Sequence, residues 1–411
     1  MSSVRKVCIF IGSRANYSSI KSVMRAVHQH PGLRLQLIVG ASALLDRFGS
    51  VVDVIEADGF TPDARVTMIV EGETPATMAK STGLGLIELP TILDILKPDV
   101  VVSVGDRFET MATAIAAAYM NIPVAHTMGG EISGTIDESI RHAVTKLAHV
   151  HFPANAPAAE RIVRMGEPPD TVHVVGCPRI DLVSEIANGD GAVPHAELLD
   201  IEGVGAHIDV TRPFLLVNQH PVTTEYGQGR SQIWETLMAL HELKMPTIML
   251  WPNVDAGSED IATGMRTFRE KLKPEYIRFY KNFPIETYVR LMLRCACTVG
   301  NSSAPIREGA FLGVPAVNIG TRQSGRDRGP NVLDVACDRH EILAAIRRQL
   351  QHGRYASDPL YGDGQAGPRI ADVLAKTPLS VQKRLVFQAD ARGQAQGEGS
   401  PASRPPSHSL A

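Results

Sequence analysis

Thr298-Val-Gly300-Asn301-Ser302-Ser303-Ala-Pro305-Ile-Arg-Glu308-Gly-Ala-Phe-Leu-Gly-Val-Pro-Ala-Val-Asn-Ile-Gly320-Thr-Arg322-Gln-Ser-Gly-Arg326 reads as strand, polar turn, helix, strand and second polar turn. The short apolar run at 298–299 ends at Gly300, and Asn301, Ser302 and Ser303 open a helix. Pro305 falls near its first turn, where a missing N–H costs nothing. A helix N-terminus presents unpaired N–H groups and a partial positive charge, so it suits a phosphate or diphosphate. Ser302 and Ser303 add hydroxyls, and Glu308 lies where a carboxylate can hold a ribose diol. A serine N-cap alone is commonplace. The second turn, which brings Arg322 and Arg326 after the next strand, makes a nucleotide diphosphate the expected ligand.

The same alternation runs outward along the chain. Apolar runs at 7–11, 35–39, 100–104, 124–126, 150–153 and 172–175 read as strands in the first half, and 214–218, 247–251, 297–300 and 316–319 in the second. Helical stretches separate them, which indicates βαβ units and parallel sheets. Strands apolar at consecutive positions suit sheets covered on both faces. Breakers cluster between 176 and 194, so the expectation is an α/β protein of two Rossmann-like, doubly wound domains facing a cleft, one over 1–180 and one over 181–359. In such sheets ligands bind beyond the carboxyl ends of the strands. From about residue 388 to 411 the composition turns to Gly, Ala, Gln, Ser and Pro, which reads as a disordered tail.

The chain has 411 residues, 44% hydrophobic and 21% charged, and a net charge of −3, which argues against nucleic acid as a partner. No apolar run reaches membrane-span length and the start lacks a signal-peptide layout, so the expected compartment is the cytoplasm, with no membrane partner. Five scattered cysteines without a Cys-x-x-Cys pair point to neither disulfides nor zinc. His149-Val-His151 has no third ligand nearby, so no metal is expected.

Several polar clusters follow strands. Gly12-Ser-Arg14-Ala-Asn16-Tyr-Ser18 lacks the Gly-x-Gly-x-x-Gly of dinucleotide sites, so nicotinamide and flavin cofactors are not expected, while Arg14 can meet a phosphate. Gly83-Leu-Gly85 reads as a loop. Asp106 and Arg107, in Gly105-Asp-Arg-Phe-Glu109, point into a cleft or form a local pair capping the helix at 110–119. Gly129-Gly-Glu131-Ile-Ser-Gly-Thr-Ile-Asp137-Glu-Ser-Ile-Arg141-His142 is a glycine-rich turn entering a helix. There Asp137 and Arg141 have the spacing of an (i, i+4) pair. His220, in Gln219-His-Pro-Val-Thr-Thr, can donate to a phosphate or act as an acid.

Together these motifs resemble the hydrolysing UDP-N-acetylglucosamine 2-epimerases of sialic-acid pathways and their relatives acting on diacetylbacillosamine nucleotides, over most of residues 5–375. The resemblance implies a glycosyltransferase-B architecture, with C-terminal helices at about 360–387 rejoining the first domain, a homodimer or homotetramer, and no cofactor. It implies removal of the C2 proton with elimination of UDP, then hydration to N-acetylmannosamine. Alternatives on the same fold are a non-hydrolysing epimerase yielding UDP-N-acetylmannosamine, or a glycosyltransferase or nucleotide-sugar binder. By resemblance Asp106, Asp137 and His220 are catalytic candidates, and Glu131 joins them as the acidic group nearest in sequence to Met128. Arg14, Ser18, Arg107, Asn253, Ser302, Ser303, Glu308 and Arg322 would contact the UDP-sugar. Asn16, Ala43 and Met128 depart from the family's pattern. Met128 stands where a Glu or His is usual and cannot transfer a proton. It is expected to pack against an apolar sugar substituent, and so to slow turnover of plain UDP-N-acetylglucosamine or favour a modified sugar nucleotide. Glu259 and Thr263 replace basic residues of the family's sialic-acid feedback site.

Overall fold

The computed structural model describes residues 4–46, 49–72, 74–189, 203–253 and 255–386. The tail at 388–411 and part of the expected junction, 190–194, lie outside the described residues.

The first sheet is fed by β1 (Arg5–Ile11), α1 (Arg14–Gln29), β2 (Leu33–Gly40), α2 (Val51–Ala57), β3 (Ala64–Val66), α3 (Pro75–Leu96), β4 (Val100–Val104), α4 (Phe108–Tyr119), β5 (Val124–Thr127), α5 (Ile136–Leu147), β6 (Val150–Phe152), α6 (Ala156–Arg164) and α7 (Pro178–Asn188). Its six strands lie in the order β3-β2-β1-β4-β5-β6 and pair in parallel. All five residues of β4 are buried, because helices cover both faces.

The second sheet takes β7 (Gly203–Gly205), β8 (Leu215–Asn218), α8 (Gly229–Leu243), β9 (Thr247–Leu250), α9 (Ser258–Leu272), β10 (Ile277–Tyr280), α10 (Ile285–Arg294), β11 (Cys297–Gly300), α11 (Ala304–Leu312), β12 (Ala316–Ile319), β13 (Val332–Val335) and α12 (Arg339–His352). Its order is β13-β12-β11-β8-β9-β10-β7, parallel except where β7 runs against β10. The last helix, α13 (Ala366–Lys376), leaves this domain and packs on α1 and α7 of the first. Asp181 on α7 accepts the backbone N–H groups of Ala366 (2.9 Å) and Gly367 (2.6 Å), so one buried carboxylate holds the first turn of α13.

Chain order reverses between β1 and β4 in one sheet and between β8 and β11 in the other. Crevices open at such reversals, beyond the strands' carboxyl ends. The turns after these four strands are the polar clusters at 12–18, 105–109, 219–225 and 300–308.

Several local readings differ from the sequence expectation, which lacked the short strands β3, β7 and β13. Residues 172–175 form no strand. Val172 makes only an isolated bridge with His151, and Val174 is 52% exposed. Gly83 and Gly85 lie inside α3. A Cβ on Gly85 would stand 2.7 Å from Met68 Cε and 3.0 Å from Ala112, so glycine there lets α3 close on α4. Strand β10 was hidden in the sequence because Arg278 interrupts its apolar run. Folding buries that guanidinium, which donates to Gly205 O at 3.3 Å.

Candidate active site

Gly300, with φ +132°, lets the β11 turn approach β8; a Cβ would lie 2.1 Å from Asn218 O. Asn301 then ties the two turns together. Its side chain accepts His220 N–H at 2.7 Å and donates to His220 O at 2.8 Å. Its carbonyl receives Arg322 Nη1 (3.2 Å) and Gln323 Nε2 (3.0 Å) from the turn after β12. The two turns that opened the sequence argument therefore meet. Ser303 caps α11 without a side-chain hydrogen bond, so the hydroxyl does not consume the N–H groups of that first turn. Ser302 Oγ accepts Ala304 N–H at 3.4 Å.

Across the cleft, Arg107 donates to Glu109 and, from the first domain to the second, to Asp255, both at 3.0 Å. Asp255 also lies 3.7 Å from Arg322. Asp106 does not cap α4, which has Arg107 at that position. Arg141 of α5 binds Asp106 and reaches Glu131 O (2.9 Å) and Ser133 Oγ (3.2 Å), so the expected Asp137–Arg141 pair does not form. Burial raises the Asp106 carboxyl, yet Arg141, Arg326 and Arg307 outweigh it and hold the group well below the usual carboxylate range.

Asp137 has the opposite environment. Among the described residues no ion pair or hydrogen bond engages its carboxyl, and burial, then Asp106 and Asp255, push its pKa up to about 7 against the pull of Arg322 and Arg107. Two carboxylates on one cleft are thus set apart, one ionised throughout the working range and one titrating near neutrality.

Asp106, Arg107, Asp137, Arg141, Ser303, Arg322 and Gln323 all line one cavity of about 110 Å³ between the domains. Of the expected site residues, Asp106, Arg107, Met128, Asp137, Ser303, Glu308 and Arg322 line it. Glu308 is engaged by Arg179 at 2.5 Å. The others stand behind or beside it. Glu131 is 1% exposed and held by Arg307 (2.5 Å) and Arg326. Ser18 is buried and bonds back to Ala15 O, while its neighbour Ser19 reaches the cavity. Arg14 donates to Phe283 O at 2.8 Å. Asn253 is exposed, and its N–H donates to His220 Nδ1 at 3.0 Å. Burial, then Arg322, brings the His220 imidazole down to about 3. The ring is therefore neutral with its proton on Nε2, which fits the donor of the two roles read from the sequence and not the acid. Met128 does not present its sulfur to an apolar partner: Sδ lies 3.0 Å from Arg307 Nη1 and 3.6 Å from Cys177 Sγ.

The cavity also receives Arg141, Arg179, Arg307 and Arg326. Sequence reading passed over Arg179 and Arg307. For Arg307 the available signal was a guanidinium in the second turn of α11, beside the Glu308 already singled out.

The family model described as UDP-N-acetylglucosamine 2-epimerase matches residues 25–375. The chain belongs to that family. It is 31% identical over 379 residues to the UDP-N,N'-diacetylbacillosamine 2-epimerase (hydrolyzing) of Legionella pneumophila, covering 92% of this chain and 98% of that protein. It is 28% identical to a UDP-N-acetylglucosamine 2-epimerase of Neisseria meningitidis, covering 93% and 99%. The fold is that of the UDP-GlcNAc 2-epimerase from Neisseria meningitidis solved with UDP-GlcNAc, with a TM-score of 0.76 at 17% identity over 90% of this chain and all of that one. In this epimerase, as in that fold, two parallel-sheet domains face each other in the glycosyltransferase-B arrangement. Among the described residues no helix is long and apolar enough to cross a membrane.

Proposed function

We propose that this epimerase acts on a UDP-activated 2-acetamido sugar by the hydrolysing route. The diphosphate lies at the α11 N-terminus, held by Ser302, Ser303, Arg322 and Arg107, with His220 Nε2–H as a further donor. Positive charge and N–H donors there stabilise the departing UDP. Asp137 takes the C2 proton as the C1–O bond breaks, the electron pair leaving with UDP and a C1=C2 double bond forming. Water then adds its oxygen to C1, and a proton returns to C2. Asp106, held ionised by its arginines, stabilises positive charge developing at C1 and does not carry the proton. Glu131 acts by holding Arg307 and Arg326 in place.

The observation that carries this reading is the unpaired Asp137 carboxyl, titrating near neutrality beside an ionised Asp106. The 31% identity to a hydrolysing relative supports release of UDP over its retention. Proton NMR of the protein with a UDP-2-acetamido sugar in deuterated water tests it. Free UDP with a C2-deuterated sugar is expected; a mixture of intact UDP-sugar epimers would instead show the non-hydrolysing route. The diphosphate position has its own check. Replacing Ser302 and Ser303 together by Ala should weaken UDP binding by about 1.5–3 kcal/mol for each lost hydrogen bond. Unchanged calorimetric affinity in the folded double variant would remove the serines from the site.

The free cysteines suit a cytoplasmic setting, and the family resemblance points to a homodimer or homotetramer. Sedimentation of the purified protein decides the latter.

A further inference from the structure

The sugar side of the cavity contains more buried positive charge than a neutral sugar can use. Arg141, Arg307 and Arg326 are each less than 9% exposed, and all three line it. Two carboxylates answer them. Arg307 and Arg326 both bind one oxygen of Glu131, Oε2, while its Oε1 has no hydrogen-bond partner. Arg141 takes Asp106. One positive charge is left over in this group, and the Nε atoms of all three arginines are buried with no hydrogen-bond partner among the described residues. Besides Glu131, Arg307 meets two sulfurs, Met128 Sδ and Cys177 Sγ, both weak acceptors, and lies 5.6 Å from the centre of the Tyr361 ring, so none of these further contacts brings it a negative charge. The arginines also oppose one another: burial, then Arg307, lower the proton affinity of Arg326. A buried cation persists where charge and hydrogen bonds compensate it, and here the compensation is one carboxylate short.

The position of the cluster says what would complete it. Arg141 joins it to Asp106, and Met128 and Cys177 belong to the apolar core of the first domain. Arg322, Arg107 and Asp255 form a separate charged group around the α11 N-terminus, where the diphosphate is placed. We infer that Arg307 and Arg326, supported by Arg141, form a subsite for a carboxylate on the sugar ring, so that the substrate is a UDP-activated 2-acetamido hexuronate. A planar monoanion matches both the single uncompensated charge and the fork geometry of guanidinium. This rests on the nucleotide-sugar reading above and adds the sugar's charge to it. It also gives Met128 a physical reason: a carboxylate at that position would pair with Arg307 and cancel the charge the substrate needs.

The test compares UDP-N-acetylglucosaminuronate with UDP-N-acetylglucosamine and with UDP alone. The wild type should turn over the uronate with kcat/KM about 10- to 100-fold higher, the scale of a hydrogen bond to a charged group. Arg307→Met should abolish that preference while UDP affinity changes less than about threefold. Met128→Glu leaves Arg307 in place and neutralises it. It should abolish the preference as well, which keeps the test decisive if Arg307→Met does not fold. Equal turnover of the two sugars by the wild type, or a preference that survives in Met128→Glu, overturns the subsite. So does loss of UDP affinity in Arg307→Met as large as its loss of uronate activity, which would place the diphosphate on the triad. UDP binding without uronate preference leaves the nucleotide-sugar reading standing; no UDP binding by the wild type overturns both.

Discussion

Asp137→Asn is expected to lower turnover by roughly 10²-fold or more, the usual scale of a lost acid–base group, with UDP affinity near that of the wild type. As a base the carboxyl must be ionised, so wild-type kcat/KM should rise with pH through about 7 and level off above it. The same shift makes a stability prediction of known sign. A carboxyl raised from 3.8 to about 7 holds its proton more tightly folded than unfolded. Its ionisation therefore costs stability, not at all below about pH 3.8, increasingly up to about pH 7, and by a constant amount beyond. Asn carries no such penalty. The variant should melt higher than the wild type at pH 8 and no higher at pH 3.5. A variant that is fully active, with melting unchanged at both pH values, would return Asp137 to the role of an ordinary solvated helix residue.

Glu131→Gln carries the second large effect, and it falls on the fold. The carboxylate is 1% exposed and is shared by Arg307 of α11 and Arg326 of the following turn, both from the second domain. Removing its charge leaves two guanidiniums facing each other in a buried space. Breaking a buried ion pair from one side costs about 3–5 kcal/mol, because the remaining charge has no compensation. Thermal unfolding should show a strongly lowered melting temperature, and turnover should fall as Arg307 and Arg326 move. Loss of turnover at unchanged melting temperature would mean that Glu131 handles protons in place of the group that Met128 lacks.

The sequence carried the architecture because the relevant signals are local. Consecutive apolar residues such as those of β4 can only be buried on both sides, and the glycine and polar residues that follow mark a strand's carboxyl end. The turns containing Asp106, Arg107, Asp137, Ser303 and Arg322 were legible for that reason, and these residues line one cavity. Elements whose sequences conflict with their burial were not legible. Arg278 disguised β10, and Gly83 and Gly85 disguised the middle of α3, since the close approach of α4 that requires a glycine is a long-range fact.

Charge state was decided by the tertiary structure alone. Nothing near Asp106 or Asp137 in sequence says which will be ionised. The partners that separate them, Arg141, Arg307, Arg326 and Asp255, arrive from other turns and from the other domain. The sequence left His220 as either a donor or an acid, because an isolated imidazole titrates near neutrality, and burial beside Arg322 makes it a neutral donor. The setting of Met128 was equally out of reach of the sequence, because Arg307, which comes within 3.0 Å of its sulfur, lies far along the chain. Residue type and spacing determine which groups reach a cleft. Electrostatics in a low-dielectric space depends on distances between segments that only folding brings together, and it determines what those groups do there.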